Sequence, residues 1–594
     1  MINKIISRLS SLREIMKETK VNACIIPSTD AHMSEYIANH WKCREWISGF
    51  DGSAGTIVVT SNKAALWTDS RYFLQAEIQL KGTGIELCKE AIPGTPSMIE
   101  YLSSNLKKGD TVGIDGTVFS TQEADSIKNK LISNNINLKN NFFPFDTIWS
   151  DREAAPQDQI FVFHEEISGE SHASKHKRIM EKLSNVGANS ILLSALDEIA
   201  WTLNIRGTDV ECNPVAVCYS FISEKEKVIF IDKEKLNKES VQYLTENNIS
   251  ILPYNSVDKF LLNLNPEYKV LIDTSKLSTY LNSSINKECT KILGTSPVAI
   301  LKSIKNKKEI EGFLSAMIKD GVALVKFFIW LEKEIPLGNV TEMLISEKLI
   351  EFREEQNLFV GESFGTIAGF NNHGAIVHYH ATSESNSTIK GNGLLLIDSG
   401  AQYLDGTTDI TRTIVIGDAS PEVKHDFTIV LKGHISLAMA KFPKGTRGDQ
   451  LDVLARQALW NEHKNFLHGT GHGIGHFLNV HEGPQSIRMN HNPVTLEPGM
   501  VTSNEPGLYI TNKYGIRHEN LILTVDDGCS DFGSFYKFET LTLFPFDIKG
   551  IDVELLSKEE KNWLNNYHQT VYEKLAPNLD CEEKGWLADK TQNI

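Results

Sequence analysis

The chain has 594 residues, of which 41% are hydrophobic and 23% charged, and its formal net charge is −16. These are the proportions of a globular protein, and they exclude disorder, collagen and coiled coil as the main architecture. The acidic balance argues against nucleic acid or an anionic membrane as a partner, because both require a concentrated basic surface. At about 150 residues per domain, the length predicts three or four domains.

The cysteines and the apolar segments predict the compartment. The eight cysteines are scattered singly and form no CxxC pair, so we expect free thiols in a reducing compartment. The first residues carry charges at short intervals, which is not typical of a secretory signal. The most apolar stretch, 321–331, is interrupted by Lys326 and is far shorter than the about 20 residues of a membrane span. The sequence therefore predicts a cytoplasmic protein without a membrane span.

The first half of the chain contains a repeated pattern. Residues 7–38 predict an amphipathic helix, a short strand and a second helix opened by an aspartate, and residues 174–205 repeat this order. Three pairs of aspartates anchor the repeat, at offsets of 167, 163 and 158: Asp30 and Asp197, Asp69 and Asp232, Asp115 and Asp273. Two duplicated α/β domains with small loop insertions would give this drifting offset, and convergence of two α/β units is the alternative.

Composition changes mark the domain boundaries. The polar stretch 149–174 predicts a linker between the two copies, and the lysine-rich segment 302–308 marks a second boundary. Residues 309–334 have apolar positions at helical spacing and predict a long helix. We predict an α/β domain, its duplicate and a third domain of α+β type that holds most chemically suggestive residues; these domains span residues 1–155, 156–303 and 304–594.

Two aspartates of the third domain flank a turn signal. Asp398 ends an apolar strand and Asp409 lies at the next one, with the dipeptide Asp405-Gly406 between them. A two-residue turn at 405–406 would pair Asp398 with Thr413, so bringing Asp409 close requires a bulge or another turn position. Taken alone, the pair is more typical of a solvated hairpin than of a site.

A glycine-rich segment, HGTGHGIGHFLNVHEGP, carries four histidines: His468, His472, His476 and His481. The glycines argue against a regular helix and therefore against a zinc-binding HExxH helix. A glycine-rich backbone allows close approach to a ligand, and imidazole is a common ligand of divalent metals. A further histidine, His378, directly follows the apolar residues 375–377 and precedes Asp398 by 20 residues.

Two glutamates lie in strand-like segments further along the chain. A hairpin centred on Asn512 would pair Glu505 directly with Glu519. Two like charges that face each other across strands are destabilising unless a cation lies between them. A solvated ladder is the alternative, although the apolar residues 521–523 indicate burial.

Together these residues form a mainly oxygen-donor set, which suits Mn²⁺, Co²⁺ or a related divalent ion. The set consists of Asp398, Asp409, His472, Glu505 and Glu519. Its four negative charges balance two divalent cations, and two ions about 3.5–4 Å apart can hold a bridging water and lower its pKa. The residues therefore predict metal-assisted hydrolysis, and no serine or cysteine nucleophile motif competes with this interpretation.

At this point the motifs resemble a known family. The segments DSG, DGTTD, TRT, HGTGHGIG, NEPG and RHEN resemble those of the pita-bread metallopeptidases of family M24. Blocks outside the metal motifs, such as SGFDGSAGT, WTDSRYFLQA, LDEIAWTLNIRGTDVECNPV and ETLTLFPFD, resemble the cytosolic, three-domain aminopeptidase P (Xaa-Pro aminopeptidase) family. The resemblance implies two creatinase N-terminal-like α/β domains, a C-terminal pita-bread catalytic domain and a homodimer.

The resemblance also implies an activity and residue roles. It implies hydrolysis of the N-terminal Xaa-Pro bond of peptides with a penultimate proline, by a hydroxide that bridges two Mn²⁺ ions. The five residues of the donor set are implied as metal ligands, with Asp409 and Glu519 bridging and Glu505 as a proton shuttle. Four further residues are implied to contact substrate or stabilise the transition state: His378, His468, His481 and Arg517.

Three residues, His373, His476 and Asn504, depart from the family pattern and leave the detail around the ligands open. Two other hypotheses remain. A prolidase acts only on dipeptides, and prolidases of this fold usually carry one N-terminal domain. A pita-bread protein without catalysis would bind partner proteins or peptides, but such proteins lose metal ligands, whereas all five positions are filled here.

Overall fold

The computed structural model describes residues 2–594, which form two compact units. One unit contains the residues up to 165 together with 170–299, and the other contains 166–169 and 300–594. Within residues 2–594, no helix is both long enough and apolar enough to cross a membrane. The sequence-based boundaries after residues 155 and 303 stay proposals.

The first copy of the repeat is a six-stranded sheet. Its strands are β1 Ala23–Ile26, β2 Thr56–Thr60, β3 Ala64–Thr68, β4 Glu86–Lys89, β5 Thr111–Gly113 and β6 Asn137–Lys139. Its helices are α1 Ile2–Glu18, α2 Cys43–Ser48, α3 Phe73–Gln79, α4 Met98–Asn105, α5 Thr121–Ile132 and α6 Phe145–Ile148. The strand order is β4-β3-β2-β1-β5-β6. Alternate residues of β1 enter two hydrophobic clusters, which lie on opposite faces of the sheet.

The second copy has the same architecture. Its strands are β7 Phe161–Val162, β8 Ser190–Leu193, β9 Ile205–Arg206, β10 Tyr219–Ser223, β11 Lys227–Phe230, β12 Ser250–Leu252, β13 Lys269–Ile272 and β14 Thr290–Leu293. The helices here are α7 Glu165–Ser168, α8 His172–Asn185, α9 Leu196–Leu203, α10 Lys238–Glu246, α11 Val257–Leu262, α12 Thr279–Ser284 and α13 Pro297–Ser303. The order β12-β11-β10-β8-β13-β14 repeats that of the first copy strand for strand, which confirms the predicted duplication.

Two expectations for this half of the chain are wrong. Asp197 lies in α9 as predicted, but the residues after Asp30 form turns instead of a helix. The Asp30 carboxylate accepts hydrogen bonds from the N–H groups of His32 and Ser34, which satisfies a turn locally. The linker predicted at 149–174 is also shorter than expected, because β7, α7 and the start of α8 lie within it.

The second unit carries the third part of the chain. Its helices are α14 Lys307–Glu334, α15 Glu342–Glu354, α16 Pro421–Ala438, α17 Gly448–Trp460, α18 Lys558–Leu575 and α19 Cys581–Lys590. Its strands are β15 Phe359–Phe370, β16 Gly393–Tyr403, β17 Gly406–Thr407, β18 Ile410–Ile416, β19 Lys441–Pro443, β20 Gly471–Gly473, β21 Glu482–Ile487, β22 Val501–Asn504, β23 Gly507–Ile510, β24 Tyr514–Arg517, β25 Asn520–Ser530 and β26 Gly533–Thr540. The predicted long helix is α14, which begins with a capping box of Asn306 and Glu309.

Three sheets position the third domain's polar residues. β16 lies between β15 and β18, and a six-stranded sheet has the order β19-β26-β25-β22-β20-β21. The hairpin β23–β24 forms a separate ladder. Because β16 is buried along almost its whole length, a charged residue on it must also lie in the interior.

The turn between β16 and β18 differs from the two-residue turn considered from sequence. Tyr403 pairs with Gly406, so Leu404 and Asp405 are the turn residues. Asp398 therefore lies opposite Thr411, and Thr413 lies opposite Leu396. Since Ser399 pairs with Ile410, this other turn position brings Asp409 beside Ser399 and Gly400 of β16. The pairing of Asp398 with Thr413 is wrong.

Candidate metal centre

The five residues of the predicted donor set come from separate segments of the second unit. Asp398 lies in β16, Asp409 directly precedes β18, and His472 is the middle residue of β20. Glu505 lies between β22 and β23, and Glu519 lies between β24 and β25. The predicted hairpin centred on Asn512 is confirmed, because Gly507–Arg517 and Asn504–Asn520 pair in one common register.

Between these two ladders the glutamates do not form a backbone pair. The N–H of Glu505 donates to the carbonyl of Thr470, and that of Glu519 donates to the carbonyl of Thr411. Glu505 is therefore held by the segment that carries His472, and Glu519 by the segment that carries Asp409. Backbone hydrogen bonds thus bring members of the donor set close together.

Side-chain distances define a compact cluster. One donor atom each of Asp409, His472 and Glu519 lies within 4.8 Å of the other two. His472 Nε2 lies 3.6 Å from Asp409 Oδ2 and 3.4 Å from Glu505 Oε1. Asp409 and Glu519 are 3% and 2% exposed, so their charges are removed from bulk water. Such spacing suits atoms that share a cation.

Asp398 completes the cluster through Arg517. The buried guanidinium donates from Nη2 to Asp398 Oδ2 at 2.5 Å and from Nε to Thr411 Oγ1 at 3.0 Å. The Thr411 hydroxyl in turn donates to Glu519 Oε2 at 2.6 Å. The other oxygen of Asp398, Oδ1, is buried and accepts no hydrogen bond from the described residues. A buried oxygen of this kind requires a partner, and a metal ion provides one.

The charges of the cluster act strongly on one another. Burial, followed by the charge of Glu519, raises the pKa of Asp409 well above its usual range. Burial also raises the pKa of Glu519 well above its usual range, with Asp398 as the next cause. For Glu505, burial raises the pKa to about 7, although Arg517 opposes the shift. Four carboxylates in one buried space are stable as anions when cations lie between them.

The donor set and the partnerless Asp398 oxygen together fit bound divalent ions. Four carboxylates and one imidazole are ligands typical of Mn²⁺ and related ions rather than of a thiolate-bound zinc. Glycine is required where strands approach closely around the set. A Cβ at Gly471 would lie 2.0 Å from the Ser503 carbonyl oxygen, and one at Gly400 would lie 2.1 Å from that of Thr408. These two contacts explain glycines of the HGTGHG and DSG motifs.

Two of the three other predicted histidines lie at the cluster. The rings of His481 and His472 are 4.4 Å apart, edge to face. His468 Nδ1 lies 3.9 Å from Glu505 Oε2, and its Nε2 lies 2.9 Å from the Tyr509 hydroxyl. His378 lies in a half-buried turn after β15. Its role stays a prediction.

Sequence reasoning missed two residues that organise the site. Tyr509 accepts a hydrogen bond from Arg517 Nη1 at 2.7 Å and contacts His468, so it links two predicted site residues. Glu342 is 1% exposed and accepts hydrogen bonds from the N–H groups of Phe370 and Ser387, at the two ends of the segment that carries His378. Tyr509 follows the NEPG motif by two residues, and Glu342 is the first residue of α15, where an acidic residue is ordinary. Neither residue therefore stands out in the sequence as part of a site.

The three residues that depart from the family pattern have structural partners. His476 Nε2 lies 3.0 Å from the carbonyl oxygen of Asp405, in the turn that sets the β16–β18 register. His373 Nδ1 lies 2.9 Å from Glu342 Oε1. Asn504 donates from Nδ2 to the His434 carbonyl at 2.9 Å. These contacts support the site's framework and leave all five predicted ligand positions filled.

Comparison with protein families agrees with this organisation. The model of metallopeptidase family M24 matches residues 311–526, and that of the C-terminal region of this peptidase family matches 534–594. Two models of the creatinase/prolidase N-terminal domain match residues 8–149 and 151–309. Fold and site together define the class, a pita-bread metallopeptidase domain preceded by two creatinase N-terminal-like α/β domains.

Individual relatives narrow this class. A probable Xaa-Pro aminopeptidase P from Laccaria bicolor is 42% identical over 598 residues, covering 98% of this chain and 92% of the relative. Aminopeptidase P2 from Arabidopsis thaliana is 40% identical, covering 99% of this chain and 88% of its own. The chain belongs to the three-domain Xaa-Pro aminopeptidase P family.

Solved structures give the same result. The crystal structure of X-prolyl aminopeptidase from Caenorhabditis elegans, described as a cytosolic enzyme with a di-nuclear active site, has a TM-score of 0.95 and 35% identity. That match covers 99% of this chain and 100% of the other. An Xaa-Pro dipeptidase from Bacillus anthracis has a TM-score of 0.52 and 24% identity over 64% of this chain, and shares the fold alone.

Proposed function

We propose that the protein is a metal-dependent aminopeptidase that releases the N-terminal residue of peptides whose second residue is proline, with two Mn²⁺ ions as cofactors. The observation that carries this proposal is the cluster of four carboxylates and one imidazole, drawn from five segments, with the partnerless Asp398 Oδ1 beside it. Co²⁺ or another divalent ion satisfies the same donor chemistry.

Each residue of the donor set has a place in this proposal. The carboxylates of Asp398, Asp409, Glu505 and Glu519 and the imidazole of His472 would hold the two ions, with Asp409 and Glu519 as the ligands that the family resemblance implies for both. Bound there, the ions would polarise the scissile carbonyl and lower the pKa of a water nucleophile. Arg517 fixes Asp398 through Oδ2 and leaves Oδ1 for coordination.

The proton chemistry rests on Glu505. Burial raises its pKa to about 7, and the Ser503 hydroxyl donates to Glu505 Oε1 at 3.1 Å, which fixes the orientation of the carboxylate. A carboxylate held in this orientation beside the other members of the donor set can accept a proton from the nucleophile and return it. We therefore assign to Glu505 the transfer of a proton from the nucleophile to the departing proline nitrogen.

The substrate class follows from the amide itself. An Xaa-Pro bond has no N–H, so the site must recognise the free N-terminus, the carbonyl and the pyrrolidine ring. We assign His378, His468 and His481 to the substrate and to the carbonyl oxygen as its negative charge develops. The His481 ring lies 4.4 Å from that of His472, which supports the assignment of His481 as such a hydrogen-bond donor.

The experiment that tests this function compares two substrates on the manganese-loaded protein. An Arg-Pro-Pro peptide should be cleaved with a higher kcat/KM than a Gly-Pro dipeptide. Preference for the dipeptide would favour a prolidase. Cleavage of neither, after loading with Mn²⁺ or Co²⁺, would favour a binding module without catalysis.

Three further properties belong to this proposal. Metal analysis should find a divalent ion, and Mn²⁺ should restore activity after chelation. We also propose a cytoplasmic location, supported by the description of the Caenorhabditis elegans enzyme as cytosolic. A homodimer, proposed from the family resemblance, is tested by sedimentation of the purified chain.

A further inference from the structure

A cavity of about 410 Å³ lies in the first unit, at the carboxyl ends of β1 and β5. These strands are parallel neighbours, and the strand order runs outward from them in opposite directions, through β2 on one side and β6 on the other. In open α/β sheets, the crevice at such a switch point is the usual place for a ligand. The cavity is therefore where this domain would bind a small molecule.

The two copies of the repeat differ at this place. Asp115 follows β5 and accepts two hydrogen bonds on Oδ1, from the Thr117 N–H and hydroxyl. Asp273 follows β13, and its Oδ1 likewise accepts hydrogen bonds from the N–H and the hydroxyl of Ser275. In the second copy, the other oxygen, Asp273 Oδ2, also accepts the N–H of Ser296 at 2.8 Å. Asp115 Oδ2 accepts no hydrogen bond from the described part of the chain, although Asp115 lines the cavity.

The helix after the first strand explains the difference. In the second copy, α9 begins three residues after β8, and its Glu198 accepts a hydrogen bond from the Ser296 hydroxyl at 2.6 Å. This contact fixes Ser296, whose N–H donates to Asp273 Oδ2. In the first copy, residues 31–38 form turns and bends, so the described part of this copy has no helix in the place of α9. The aspartate is thereby left facing the cavity.

A positive charge lies in the same wall. Arg152 donates from Nε to the His40 carbonyl and from Nη1 to Asp146, which fixes the guanidinium. Its Nη2 has no hydrogen-bond partner within residues 2–594. Arg152 also acts on Asp115, because its charge lowers the pKa that burial of this aspartate raises. The cavity thus contains one acceptor and one donor of opposite charge, each with an unused position.

We propose that this cavity binds a small zwitterion, a free α-amino acid with an apolar side chain. Its ammonium group would donate to Asp115 Oδ2, its carboxylate would accept from Arg152, and its side chain would contact Trp41 and Phe143 in the apolar part of the wall. The volume lies within the range of about 300–1,000 Å³ typical of small-molecule sites. The site is separate from the metal centre and does not depend on the proposed hydrolysis.

Calorimetric titration of the full chain with L-leucine tests the proposal. The titration uses an Asp409→Asn background, so that the metal centre does not contribute. Asp115→Asn and Arg152→Gln should each weaken binding about tenfold or more, because each removes a charge-assisted hydrogen bond. Asp273→Asn, the matched change in the second copy, should leave the affinity unchanged. Isoamylamine and 4-methylpentanoate, which each lack one charge of leucine, should bind as weakly as leucine does to the variants.

A second measurement needs no variant of the cavity. Hydrogen exchange of the Asp409→Asn protein with saturating L-leucine should show protection confined to the ends of β1 and β5, at 26–29 and 115–118. The absence of binding, equal affinity of the Asp115→Asn and Asp273→Asn proteins, or protection only around the metal centre would each overturn the proposal.

Discussion

Two buried acidic sites in the second unit balance their charge in different ways. Glu482 is 4% exposed, and its two carboxylate oxygens lie 2.8 Å from Lys302 Nζ and 2.7 Å from Lys305 Nζ. At the metal centre, four carboxylates are faced by Arg517 and by imidazoles, and with the imidazoles neutral this gives one positive charge against four negative ones. The chain thus supplies its own cations at Glu482 and leaves room for external ones at the metal centre.

This difference separates a structural ion cluster from a catalytic one. Glu482 begins β21 and lies opposite Gly473, next to His472, so the two lysines hold the strand that pairs with the His472 strand, β20. Burying extra positive charge there is tolerable because the carboxylate is shared by both ammonium groups. Buried negative charge without such partners is maintained where function requires it.

The largest expected effect comes from removing one bridging ligand. Asp409→Asn should lower kcat/KM for an Xaa-Pro-Yaa peptide by about 10³-fold or more, because the loss of metal chemistry is worth several kcal/mol. The fold should persist, since the change relieves the repulsion that raises the pKa of this carboxyl. Peptide hydrolysis and circular dichroism measure the two quantities.

The matched control is Asp418→Asn, two residues after β18. Asp418 is exposed and is not a member of the donor set, so activity should stay within a few-fold of the unaltered protein. Full activity of the Asp409 variant would contradict the site, whereas equal loss in both variants would indicate that the hairpin itself is disrupted.

The sequence predicts this centre better than it predicts the framework around it. The ligands stand in short motifs, and the hairpin centre at Asn512 follows from strand pattern alone. The turn between Asp398 and Asp409 could not be predicted, because Asp405 is held in place by Lys319 and His476 from distant segments. The role of Glu342 likewise depends on contacts with the N–H groups of Phe370 and Ser387, which no local pattern contains.

The second prediction concerns the self-balanced cluster. Glu482→Gln should lower the free energy of unfolding by about 3–5 kcal/mol, because it leaves two buried ammonium groups without a counter-ion. Urea denaturation measures this loss, which should persist when Mn²⁺ is saturating. Replacing Lys302, Lys305 and Glu482 together by methionine should recover most of the stability. A single variant as stable as the unaltered protein would show that the cluster does not support the fold.

The third prediction uses pH to separate the two kinds of site. In the metal-free protein, burial raises the folded-state pKa of Glu505 from its usual 4.5 to about 7. The folded state therefore binds this proton more tightly, so stability should fall as pH rises from about 4.5 to 7, by about 2–3 kcal/mol from this group. Saturating Mn²⁺ should remove the decline, because metal binding favours the ionised carboxylate. If the chelated protein became more stable between about pH 4.5 and 7, the raised pKa of Glu505 would be contradicted.

The smallest expected effect is at Glu342, which organises the segment that carries His378. Its carboxylate accepts hydrogen bonds from the Phe370 and Ser387 N–H groups and from the Tyr379 hydroxyl. A glutamine retains the shape but has one accepting oxygen, so Glu342→Gln should reduce kcat/KM by about tenfold, with metal affinity unchanged.

The matched control is Glu347→Gln, on the exposed face of the same helix, which should leave hydrolysis unaltered. A lower metal affinity in the Glu342 variant would mean that this carboxylate supports the ligands themselves. An unchanged kcat/KM would mean that His378 needs no such anchor. A loss confined to kcat/KM would instead mark Glu342 as a third kind of buried acid. Its charge is stabilised by hydrogen-bond donors of the chain, whereas that of Glu482 is balanced by lysines and that of the metal centre by external cations.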